Sequence, residues 1–114
     1  MSEAQLPERK RTLPDEPASI SQLNGILSED CRKVKVTVEL TNGATHPDLE
    51  LTLTDADNVE LSRTTILENF GPRMVFTMHI RQSQVKFPLK LWCELSYLDE
   101  SAFSQAETLI GNQK

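Results

Sequence analysis

Apolar and polar side chains alternate in four separate stretches of this 114-residue chain. Val34, Val36, Val38 and Leu40 interleave with Lys33, Lys35, Thr37 and Glu39, and Leu49, Leu51 and Leu53 with Glu50, Thr52 and Thr54. Met74, Phe76, Met78 and Ile80 interleave with Val75, Thr77, His79 and Arg81. Phe87, Leu89, Leu91, Cys93, Leu95 and Tyr97 do so with Pro88, Lys90, Trp92, Glu94 and Ser96. Successive side chains of an extended chain point to opposite sides, so a period of two gives each stretch one oily and one wet face. On a helix the same residues would be scattered around the axis. Each stretch is therefore read as a half-buried strand.

The links between them are short and carry turn chemistry. Asn42-Gly43 tolerates positive φ, and the Asx residues of Asp55-Ala56-Asp57-Asn58 can satisfy nearby backbone donors. Val59 and Leu61 start a further strand that returns as a hairpin and runs towards Thr65. Phe70-Gly71-Pro72 is a break, and Pro88 places its end of the last strand at a sheet edge or at the strand's start. Short links favour antiparallel pairing, because parallel neighbours need long crossovers. The expected fold is all-β, an antiparallel β-sandwich of about five strands, with a small barrel as the alternative closure. Its general look is immunoglobulin-like or fibronectin-like on strand pattern alone. The paired cysteines and central tryptophan of true immunoglobulin domains are absent in the expected arrangement.

The domain is placed at 19–98. Residues 1–18 contain Pro7, Pro14 and Pro17 among charged residues and read as a disordered tail. Within 19–27, Ile20, Leu23 and Leu27 recur at helical spacing behind Ser19, which predicts a short helix. Over 99–114, Ala102, Phe103, Ala106, Leu109 and Ile110 form a rough helical stripe, read as a tail or a second short helix.

The charges narrow the function. Net charge is −5, yet from Cys31 to Tyr97 eight Lys/Arg balance eight Asp/Glu. Such a body lacks the basic excess that general nucleic-acid binding draws on, so nucleic acid is disfavoured as a partner. No apolar run reaches the roughly 18 residues of a membrane span. The polar first residues do not read as an export signal, so a cytoplasmic location is expected, with Cys31 and Cys93 as reduced thiols. A redox or zinc pairing of the two does not fit their spacing.

Catalytic chemistry finds no convergent set. His46 and His79 stand in no motif with a Ser or Cys nucleophile, and no glycine-rich phosphate loop is present. Asp55, Asp57, Asn58 and Asp48 offer oxygens for Ca²⁺ but lack the glycine and distal glutamate of a calcium loop, and a plain hairpin turn accounts for them. No enzyme activity, cofactor or metal is expected.

The anomaly is Trp92. Alternation points the single tryptophan away from the core, between Lys90 and Glu94, with Thr77 and His79 as neighbours if the last two strands pair. Tryptophan is enriched at binding hot spots. The expectation is a non-enzymatic protein-interaction module, or small accessory subunit, that binds an unidentified protein partner. Its candidate surface is Trp92, Lys90, Glu94, His79 and Thr77, or else an edge strand. A terminal segment covering Trp92, or a bulge turning it inward, are the bland alternatives. Two other functions compete. One is a barrel of the oligonucleotide-binding kind using Lys33, Lys35, Arg73, Arg81, Lys90 and Trp92; the other is a small-molecule site inside the β domain.

Overall fold

The computed structural model describes residues 17–41, 46–68, 71–97 and 104–111. Seven strands carry the fold: β1 Ser19–Leu27, β2 Lys33–Thr41, β3 Asp48–Thr54, β4 Glu60–Ile66, β5 Arg73–His79, β6 Leu89–Ser96 and β7 Ser104–Ile110. They form two antiparallel sheets, β1-β2-β5 and β4-β3-β6-β7, packed as a sandwich. The all-β sandwich is as expected; the strand count is seven rather than five. No helix is long and apolar enough to cross a membrane among the described residues.

Both additional strands stand where short helices were expected. In β1 the register against β2 shifts between Ile20 and Gln22. One extra residue there turns an inward set of Ile20, Leu23, Gly25 and Leu27 into a sequence that imitates a 3–4 spacing. The bulge hides the period of two. β7 disguises itself differently. Its more enclosed positions are Ser104, Ala106, Thr108 and Ile110, whereas Leu109 is 62% exposed. The inward face is too small and polar to register as apolar alternation. Residues 1–16 of the expected 1–18 tail, the Asn42-Gly43 turn and residues 98–103 and 112–114 lie outside the described residues.

The core is the set of alternating residues brought face to face. Val34, Val36 and Val38 of β2 and Met78 of β5 meet Leu49, Leu51 and Leu53 of β3 and Leu89, Leu91, Cys93 and Leu95 of β6, all essentially without solvent contact. Burying each large aliphatic side chain stabilises the fold by about 1.5–3 kcal/mol before the cost of ordering the chain. A second bulge, between Leu53 and Thr54 on the β3–β4 ladder, accompanies a buried Leu61.

The turns follow their side chains. Asp55 Oδ1 accepts from Asp57 N at 2.9 Å and Val59 N at 3.0 Å, while Asn58 takes φ 66°. Asp30 Oδ1 accepts from Arg32 N at 3.1 Å in the β1–β2 turn, where Cys31 takes φ 60°.

The two lateral seams of the sandwich differ. Along β1 and β7 the sheets are tied together: Ser104 Oγ accepts from Ile20 N at 3.0 Å, and a Cβ on Gly25 would stand 2.6 Å from Ile110 Cδ1. Glycine at 25 is what admits Ile110 to the core. Just before β1, the buried Ala18 N–H donates to the Tyr97 hydroxyl at 2.8 Å. Along β4 and β5 no ladder joins the sheets.

Candidate interaction surface

Trp92 sits on a central strand, half-buried, and faces outward as its place in the alternation requires. Its cross-strand partners are Thr52 on β3 and Glu107 on β7, with Lys90 and Glu94 above and below it on β6. These three members of the expected surface stand together. The other two do not join them. β5 pairs with β2, not β6, so Thr77 lies opposite Lys35 and His79 opposite Lys33 on the outer face of the other sheet. The pairing of the last two strands, on which the five-residue surface depended, does not occur.

The same division sorts the charges. The outer face of β1-β2-β5 carries Lys33, Lys35 and Arg73 against Glu39, with Ile26 (62%) and Val75 (44%) exposed among them. Arg73 Nε lies 3.2 Å from Glu39 Oε2, which partly neutralises that corner. The outer face of the four-stranded sheet carries Glu50, Glu60, Glu94 and Glu107 against Arg63 and Lys90, with Arg63 bridging Glu60 at 2.8 Å and Glu50 at 2.5 Å. A body that is balanced in sequence has one basic and one acidic face. The six residues of the nucleic-acid reading divide accordingly, with Lys90 and Trp92 on the acidic face and Lys33, Lys35, Arg73 and Arg81 on the basic side. Arg32, Lys33, His79 and Arg81 also line an open cleft of about 530 Å³ with Asp30 and Ile80.

The seam between β4 and β5 forms a groove of about 460 Å³ lined by Thr64, Ile66, Met74, Val75, Phe76 and Thr77. Ile66, Met74 and Phe76 are only partly buried, each with one side against the core. The backbone of β5 is available along this groove. Ile80 N donates to Arg32 O at 2.8 Å and Leu40 N to Pro72 O at 2.7 Å, one bond at each end of the β2–β5 ladder. Bonded and non-bonded pairs alternate in an antiparallel ladder. Stepping inwards from both ends, the bonded pairs are Val34–Met78, Val36–Phe76 and Val38–Met74. Arg73, Val75, Thr77 and His79 therefore aim their N–H and C=O groups away from β2, towards an edge that no strand occupies among the described residues.

The remaining candidates are placed as follows. Both cysteines are free. Cys93 faces the core, where burial, with a smaller push from Glu94, raises its thiol to about 12. Asp48 and Asp55 stand at opposite ends of β3, roughly 20 Å apart at the rise of a strand, too far to share one ion. Asp48 Oδ1 accepts from Glu68 N at 2.9 Å, and the Asp55 carboxylate caps its own turn. Among the described residues no three His, Cys, Asp or Glu side chains are grouped to hold a metal. In comparisons with known proteins, no family model and no curated protein matched the chain.

The β5 edge was the part least accessible to sequence reading. The one signal was negative: Arg73–His79 holds no proline, no glycine and no charged residue at an inward position.

Proposed function

We propose that this protein is a non-enzymatic interaction module, or a small accessory subunit, that docks a partner protein along the β5 edge. The observation that carries this reading is the contrast between β5 and the other outer strands. β1 is bulged and tied to β7, and β4 is bulged and carries the ion-paired Arg63. β5 keeps an unshifted register with β2, leaves an unpaired backbone edge and holds Met74 and Phe76 half-open beside it. Exposed flat edges invite pairing, and proteins that do not use them usually block them.

Two packed antiparallel sheets of three and four strands support an immunoglobulin-like or fibronectin-like class for the module. Two free thiols, one of them sealed in the core, fit a reducing, cytoplasmic setting.

Affinity capture with wild type, Thr77→Pro and Trp92→Ala tests the docking surface. Thr77 N–H points to the open edge, so proline there removes an edge donor without breaking the β2 ladder. Partners lost with Thr77→Pro and retained with Trp92→Ala are expected. Loss with Trp92→Ala alone would move the docking surface to the acidic face and refute the edge reading.

A further inference from the structure

We infer that the occupant of the β5 edge is an extended segment of another protein, acidic on one side and apolar on the other. This rests on the interaction reading above and specifies its partner. A strand added to β5 has two sets of side chains, and each meets a different surface. Its inward set lies against Met74 and Phe76 and completes the groove with Ile66 and Thr64, which calls for apolar residues at alternate positions. Its outward set lies beside Arg73, Val75, Thr77 and His79, with Lys33 and Lys35 one strand further in. Glu39 engages Arg73, whereas no acidic residue of β2 or β5 stands opposite Lys33 or Lys35. Lys33 and Lys35 lie two strand spacings, about 10 Å, from such a strand, within a Debye length at low salt, and their long side chains can lean across Thr77 and His79, so carboxylates are favoured opposite those two positions.

Charge also argues against a second copy of this chain. Edge-to-edge pairing of two β5 strands would bring together two outer faces that each carry Lys33, Lys35 and Arg73 against the single carboxylate of Glu39, and two net-positive faces repel.

The test uses the full chain labelled for amide NMR and three seven-residue peptides matching β5 in length. All three have valine at alternate positions, with glutamate, threonine or lysine between. The glutamate peptide is expected to shift and protect the Val75 and Thr77 amides. It should bind about tenfold tighter than the lysine peptide at low salt, an advantage that shrinks as screening increases. Thr77→Pro should abolish binding, and Lys35→Glu, which brings the outer face from a net positive charge to balance, should remove most of the glutamate peptide's advantage while leaving the amide spectrum of the four-stranded sheet unchanged. Equal binding of all three peptides at β5 would overturn the acidic partner and leave the edge reading standing. Shifts confined to residues around Trp92, protection of β5 by self-association without peptide, or no binding by any peptide would each overturn the inference.

Discussion

Replacing Tyr97 by Phe removes a single oxygen atom, and its position makes the effect calculable. The phenol oxygen accepts the Ala18 N–H at 2.8 Å across a sequence separation of 79 residues, and both residues are about 2% exposed. With Phe the ring still fills its place, so little cavity is created, but a buried backbone donor loses its acceptor. Leaving such a group unsatisfied costs about 1–3 kcal/mol. Taking about 2 kcal/mol and an m-value near 2 kcal/mol/M, the urea midpoint should fall by about 1 M. For a domain of 60–100 residues the same loss lowers Tm by roughly 8–16 °C. Trp92, half-buried on a central strand, supplies the fluorescence signal for the urea titration. Because the bond fastens the chain just before β1, amide exchange should accelerate first at Ala18–Leu23, with β3 and β6 less affected. A variant within about 0.3 kcal/mol of wild type, outside the range for losing a buried partner, with unchanged exchange in β1, would refute the assignment of this bond as the clamp on the first strand.

Two further outcomes follow from buried or capped titratable groups. Native protein should lose only the Cys31 thiol to an alkylating reagent, with Cys93 reacting after unfolding. Since folding raises Cys93 to about 12, its contribution is complete below the unfolded thiol value and declines as pH rises from there towards the folded one, so Cys93→Ala should flatten the urea-midpoint profile on the alkaline side. Asp55 behaves in the opposite sense. Donation by the Val59 N–H, assisted by that of Asp57, outweighs desolvation and holds its carboxyl below the usual range. Its contribution is present above about pH 3.9, the unfolded value, and is lost as pH falls through the folded value. In wild type the Asp57 and Val59 amides should lose protection under acid, and in Asp55→Asn that loss should no longer track pH.

Much of the site was legible residue by residue and illegible as a surface. The outward placement of Trp92 between Lys90 and Glu94 follows from alternation within β6, a local property. The neighbourhood of Thr77 and His79 depends on which strand β5 joins, and an alternating strand carries no address for its partner. Met74, Phe76 and Met78 would serve equally well beside β6, and only the packing of the whole chain sends them to β2. The separation of charge into two faces was hidden for the same reason: it is a property of sheets, and a running count along the chain averages it away.

What the residues determined unaided is the all-β class, most of the core and the chemistry of the Asp55 turn, because each depends on side-chain direction or on hydrogen bonds spanning a few residues. Tertiary structure alone decided the roles of β1 and β7. One conceals its alternation behind a bulge and the other presents Ser104, Ala106 and Thr108 inward, so neither shows a period of two and the apolar residues of both imitate helical spacing. Each pairs with its neighbour in the chain, β1 with β2 and β7 with β6, and is fastened by contacts distant in sequence: Ser104 and the Tyr97 hydroxyl hold β1, and the space left at Gly25 receives Ile110 of β7. The open β5 edge has the same origin, since an unpaired edge is defined by the absence of a neighbouring strand, and its only mark in the bordering residues is the lack of a proline, a glycine or an inward charge.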